Sequence, residues 1–243
     1  MSISFLNYEN AWKKFYANIE DCASIPWDVQ PENAIVNDFE AITEIFDSKM
    51  PIIDLGCGVG TQSYYLANKF DQVLGLDVSK KAIEIARLPF KNVDFRVFDL
   101  LDNINASCLH QELGDANIYM RGLLHQIAPQ HRSTAVETIR ILLGKTGVLY
   151  MIELTESANM FFAHMRRKNG EAVSAIDKTL SPGITFSYGV NVKKIIEIFP
   201  QSQFEVINSS KKFIKFKANT DSGFIDVPSS FIVLKANSNK NKL

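Results

Sequence analysis

No stretch of this chain approaches the roughly 18 consecutive apolar residues of a membrane-spanning helix. Its start, MSISFLNYENAW, also lacks the basic segment followed by an apolar segment that marks an export signal. A reducing cytoplasm is therefore the expected setting, with no membrane partner. Cysteine is scarce: Cys22, Cys57 and Cys108 are odd in number, far apart and without a C-x-x-C pair. That argues against a disulfide framework and against a zinc site, so no metal is expected. Charge of one sign is missing as well, with 26 basic against 27 acidic residues and a net charge of -1. Whole-protein electrostatics thus give no pull towards nucleic acid. Internal repeats and low-complexity segments are absent.

What is present is ample apolar material, 46% of 243 residues, enough for the core of one domain. Apolar runs at 51–55, 73–77, 93–98, 117–120 and 148–154 alternate with amphipathic runs at 62–70, 80–88, 106–113 and 131–143. Strand alternating with helix means βαβ units and a parallel sheet with right-handed crossovers. Before this region, Trp12, Phe15, Tyr16 and Ile19 fall at helical spacing, as do Ile35, Phe39, Ile42 and Phe46. Two helices are expected there, the second over 32–46 on the sheet's edge, joined by an extended IPWDVQP connector. After Glu153 the pattern predicts helices at 156–168 and 192–199, then two long strands at 203–217 and 224–235. The final NSNKNKL is polar and expected to fray.

The segment Pro51 to Ala67, PIIDLGCGVGTQSYYLA, carries the chemistry. A buried strand ends in Gly56, Gly58 and Gly60 and then opens a helix. Glycines there permit positive φ and let a ligand lie on the backbone, and a helix start offers N–H groups to an anion. The spacing is not G-x-G-x-x-G, because Thr61 stands at the third position. It is not a Walker A loop either, since no lysine follows Gly60 until Lys69. Asp77 ends the second strand, where a carboxylate would accept both hydroxyls of a ribose; Asp77 or Ser79 would equally cap the next helix.

The series Asp54-x-Gly56-x-Gly58-x-Gly60, Asp77 and Asp99 resembles the class I S-adenosylmethionine-dependent methyltransferases. The resemblance implies an α/β fold: a Rossmann-like seven-stranded, mostly parallel sheet, helices on both faces and an antiparallel C-terminal hairpin. It implies one domain over 1–243, with 1–50 as a helical cap and 156–200 as an acceptor-side lid rich in aromatics and methionine (Met160, Phe161, Phe162, Met165, Phe186, Tyr188), although for Phe161, Phe162 and Met165 plain core packing is the better reading. S-adenosyl-L-methionine is the implied cofactor. Asp54, the three glycines, Asp77 with Val78, and Asp99 with Leu100 would hold it, Asp99 at the adenine amino group. The fourth strand and its turn, Ala116 to His125, resemble the family's strand-four segment, of which residues 120–125 would border the methionine end and the acceptor, with Arg121 serving both donor and chemistry. His125 is the candidate general base; the alternative is a histidine packed at the turn. Pro26-Trp27-Asp28 resembles a segment of small-molecule methyltransferases of the thiopurine and tellurite-resistance type, where the aromatic lines the pocket. A tryptophan staple for the N-terminal helix is the other option.

The implied reaction is methyl transfer to an O, N or S atom of a small-molecule acceptor, by a monomer or homodimer. Two other classes remain open: a methyltransferase acting on RNA or protein, and a non-catalytic cofactor-binding regulatory subunit. Lys211, Lys212, Lys215 and Lys217, interleaved with Phe213, Ile214 and Phe216, would suit a nucleic-acid strip. A solvent face or edge strand protected from aggregation explains them with less, and is the expected reading.

Overall fold

The computed structural model describes residues 5–19, 21–179 and 189–237. Phe186, Tyr188 and most of the C-terminal NSNKNKL lie outside them. The chain enters through α1 (Phe5–Ala17) and α2 (Phe39–Ile45). Then β1 (Ile52–Leu55), α3 (Thr61–Ala67), β2 (Val73–Asp77), α4 (Lys80–Ala86) and β3 (Asp94–Val97) follow in strict alternation. The alternation continues with α5 (Asn103–Leu113), β4 (Asn117–Arg121), α6 (Arg132–Leu143) and β5 (Val148–Leu154). Three helices, α7 (Ser157–Lys168), α8 (Ser174–Thr179) and α9 (Val192–Ile198), precede the closing hairpin of β6 (Phe204–Lys217) and β7 (Phe224–Ala236).

The seven strands form one sheet in the order β3-β2-β1-β4-β5-β7-β6. Strands β1 to β5 are parallel, and β7 runs antiparallel to both β5 and β6. The central strands β1, β2, β4 and β5 are mostly apolar because both faces are covered, whereas β3, at the sheet's edge, exposes Asp94 and Val97. Ile53, Leu55, Leu74, Leu76, Ile118 and Met120 enter the core shared with α5, α6 and α9. Their neighbours Ile52, Val73, Tyr119, Tyr150 and Ile152 enter the opposite core, with α2, α3, α4 and α7.

Two expectations need correction. The helix over 32–46 is broken: 3-10 turns at Pro31–Asn33 and Ile35–Asp38 precede α2, and Ala34 leaves helical geometry at φ -139, ψ -104. Asn33, Asn37 and Asp38 favour local turns over helix interior, and Gln62 of α3 accepts the Ile35 N–H at 3.4 Å. This segment packs Ile35, Ile42 and Phe46 on a face of the sheet, not on its edge. Next, β6 is the edge strand, but Lys212 is no solvated edge lysine. Its ammonium pairs with buried Asp38, reaches the Tyr150 hydroxyl at 3.2 Å and lies over the Phe231 ring. Phe162 is in the core, as expected for it, tilted against Phe216 at 6.0 Å, while Met160 is exposed.

Gly60 shows how tightly the loop after β1 is built. Its φ is +86, and a Cβ there would meet Phe95 Cζ at 2.5 Å. Gly60→Ala is expected to cost about 2–4 kcal/mol, combining left-handed strain with overpacking. Gly223→Ala, at φ +72 in a turn and with nothing within 4 Å, should cost only about 1 kcal/mol. Urea midpoints of the two variants check this, and equal losses would remove the packing argument.

Candidate active site

The β-strand order reverses between β1 and β4, and in open α/β sheets the carboxyl ends of strands at such a switch point form a crevice. Here β1 runs out at Leu55 and the chain turns through Gly56 and Gly58 at φ +82 and +56. The Gly56 and Cys57 N–H groups both donate to the Leu76 carbonyl, at 2.8 and 3.0 Å, which folds the loop back across the end of β2. Asp77 then accepts the Gly58 N–H at 3.0 Å and the Ser79 N–H at 2.8 Å, one on each oxygen. The cap of α4 is Ser79, whose hydroxyl accepts from Ala82. Asp77 is therefore released from the capping role and braces the glycine loop. Burial pushes its carboxyl up to about 6, against the pull of those two N–H groups.

Asp54 lies beneath the loop, 4% exposed, and accepts the Ser63 hydroxyl of α3 at 2.5 Å. Burial drives its carboxyl up to about 7; the Ser63 hydrogen bond opposes this and nearby Asp77 adds to it. A third carboxyl, Asp28, is likewise raised by burial, with a hydrogen bond from Thr61 acting the other way.

Arg121 closes the other side. Its guanidinium donates to the carbonyls of Trp27 (3.1 Å) and Lys215 (3.2 Å), tying the N-terminal connector and β6 to the end of β4. Among the described residues both of these partners are neutral, no carboxylate stands within ion-pair distance, and burial lowers the guanidinium's pKa. Two residues earlier, on the same strand face, the buried Tyr119 hydroxyl has no hydrogen-bond partner among the described residues. The roof is α1: Trp12, Phe15 and Tyr16 pack around Trp27, and the Tyr16 hydroxyl would lie 2.9 Å from a Cβ at Gly58. Trp27 is thus both staple and pocket wall.

The resulting cleft encloses about 730 Å³, counting its mouth open to solvent. Trp27, Asp54, Gly56, Gly58, Asp77, Val78 and Arg121 line it, together with Asp28, Tyr16 and Tyr119. Gly60 stands just behind as the N-cap of α3. Asp99 and Leu100 do not line the cleft: Asp99 accepts the Leu101 N–H at 2.9 Å, and the Leu100 side chain is buried in the core under α5. A second cavity of about 380 Å³ shares Trp12, Trp27, Arg121 and Gly122 with the first. Its other walls are apolar (Leu154, Ile214, Phe216), with His125 and Gln126 at its polar end. Sequence reasoning missed Glu153, which faces His125 Nδ1 at 2.9 Å. The available signal was a single charged residue inside the otherwise apolar β5.

A cleft of this kind asks for a particular ligand. Three carboxyl groups, Asp54 buried and Asp28 and Asp77 half-buried, against one guanidinium favour a cation; Asp77 retains lone pairs for hydroxyls, and Arg121 beside Tyr119 has no carboxylate partner among the described residues. A sulfonium carrying an amino acid and a ribose meets all three demands. A family profile described as "Methyltransferase domain" matches residues 46–216. The chain belongs to this methyltransferase family. It is similar over 98% of its length to 96% of a SAM-dependent methyltransferase from Anabaena variabilis ATCC 29413, at 32% identity and TM-score 0.80. It also shares its fold with a TehB-like SAM-dependent methyltransferase from Corynebacterium glutamicum ATCC 13032, at 18% identity and TM-score 0.52, covering 95% of this chain and 97% of that one. No curated protein matches. The methyltransferase is accordingly an enzyme, and S-adenosyl-L-methionine is its cofactor. Among its described residues no helix is long and apolar enough to cross a membrane.

Proposed function

We propose that this methyltransferase, acting as one domain, modifies an O, N or S atom of a small molecule. The observation that carries the reading is the pair of cavities meeting at Trp27, Arg121 and Gly122. The first suits the donor and the second, smaller and walled by apolar side chains, suits a compact acceptor. The lysine cluster supports the same choice over RNA: Lys212 is paired with Asp38, Lys215 with Asp226 at 3.1 Å, and Lys217 donates to the Ala23 carbonyl.

Bound S-adenosylmethionine supplies an electrophilic methyl carbon on a sulfonium. Asp77 would receive the ribose hydroxyls, Asp54 and Asp28 the positive charge, and Arg121 with Tyr119 the carboxylate. Asp99 with Leu100 would serve the adenine. Trp12 and Trp27 keep water from the junction, where orientation in a dry site accounts for most of the acceleration. Incubation with methyl-labelled S-adenosylmethionine and mixed acceptors tests the acceptor class. Label is expected in aromatic or heteroaromatic small molecules; label in RNA or protein alone would overturn the proposal.

A further inference from the structure

The polar end of the second cavity is built around Glu153, which is fully buried at the end of β5. One of its oxygens accepts the N–H groups of Leu123 (2.8 Å) and Leu124 (2.7 Å). The other accepts the His125 N–H at 3.2 Å and faces His125 Nδ1 at 2.9 Å. Three of these four partners are obligatory donors, so Glu153 is the acceptor throughout and is read as a carboxylate. Nδ1 then carries the imidazole proton, and Nε2 carries the lone pair. Nε2 faces the Gln126 side-chain amide at 2.8 Å, at the wall of the cavity.

We propose that His125 is the general base for the acceptor, with Glu153 as its positioning residue, and that the acceptor is a hydroxyl or thiol on a planar apolar framework. The inference rests on the methyl-transfer reading above and narrows it. Holding the turn after β4 needs only the carboxylate and the backbone N–H groups. A histidine in a fixed tautomer, with its basic nitrogen at the cavity, adds something that anchoring does not require. A thioether or tertiary amine has no proton to lose and would gain nothing from it. A phenol or thiol near neutral pH does. In the reaction the acceptor's O–H or S–H bond breaks and its proton passes to Nε2. The electron pair left behind forms the new bond to the methyl carbon, and the pair of the old carbon–sulfur bond stays on sulfur as a neutral thioether.

Glu153 stabilises the imidazolium so formed; the Gln126 N–H holds the Nε2 lone pair while the site is empty, and the acceptor's O–H or S–H must displace it before its proton can pass to Nε2. Arg121 is the other charged side chain lining this cavity. The flat walls of Trp12, Trp27 and Phe216 suit an aromatic ring.

A graded series of ring-substituted phenols and benzenethiols, run with S-adenosylmethionine, tests the inference. For members un-ionised at the assay pH, His125→Asn should lower kcat by about 100- to 1,000-fold, and Glu153→Gln should lower it by about tenfold with KM little changed. For members acidic enough to arrive as anions, both losses should shrink to about threefold or less. An equal loss across the series would make His125 a packing residue and overturn the proposal. So would a wild-type enzyme that binds S-adenosylmethionine and methylates thioethers or tertiary amines but no phenol or thiol. Should Glu153→Gln not fold, His125→Asn, which keeps an N–H towards Glu153, carries the comparison. Failure of the wild type to bind S-adenosylmethionine would instead remove the underlying reading.

Discussion

Asp77→Ala is expected to weaken binding of S-adenosylmethionine by about 100-fold or more, measured by calorimetric titration. A carboxylate hydrogen bond contributes about 1.5–3 kcal/mol, and two to a ribose give a hundredfold or more at about 1.4 kcal/mol per decade. The variant also releases the Gly58 and Ser79 N–H groups that Asp77 now holds at 3.0 and 2.8 Å, so the glycine loop loses its brace. Stability should move far less than affinity. Removing a buried acid relieves a desolvation cost, and losing two backbone hydrogen bonds offsets that relief. Affinity unchanged in Asp77→Ala would mean that the ribose lies elsewhere and that Asp77 is only a brace.

The second large effect is on pH. Asp54 is raised to about 7 and Asp77 to about 6 in the folded chain, whereas an unfolded aspartate ionises near 3.9. Between about pH 4 and those values the folded state holds protons that the unfolded state has lost. Each group's contribution is therefore fully present below about pH 4 and disappears as pH rises through its folded value, at about 1.4 kcal/mol per unit. The ligand-free protein should lose stability between pH 5 and 7.5. A cationic donor favours the ionised carboxylates, so its affinity should rise over the same interval. Thermal melts with and without S-adenosylmethionine read both trends at once: the free midpoint falls while the ligand-induced shift grows. Asp54→Asn should flatten the upper part of each curve. A ligand-induced shift independent of pH would show that the cleft acids do not meet the donor's charge.

The sheet was legible in the sequence because its central strands are buried on both faces and read as mostly apolar runs, separated by helices of matching length. Of the candidate cleft, the lining residues near strand ends were legible: Asp54, Asp77 and Arg121 are each fixed by a short stretch of their own sequence. What could not be read depends on distant parts of the chain meeting. Tyr16 and Asp28 enter the cleft only because α1 and the connector fold over the glycine loop, through aromatic contacts with Trp27. Lys212 resembled an edge lysine until Asp38, far earlier in the chain, came to lie beneath it. Glu153 is the instructive miss. Its position inside VLYMIEL demanded a partner, since a carboxylate in a doubly covered strand must be hydrogen-bonded, but the partner, His125, could be named only once β4 and β5 were paired.

The central claim is that the cleft at the ends of β1, β2 and β4 holds S-adenosylmethionine. Calorimetric titration of the intact protein with S-adenosylmethionine and with its demethylated product, S-adenosylhomocysteine, tests it directly. One site per chain is predicted, with the cationic donor bound more tightly than the product as pH rises above 7. No heat of binding with either compound, from a folded protein, would contradict the account.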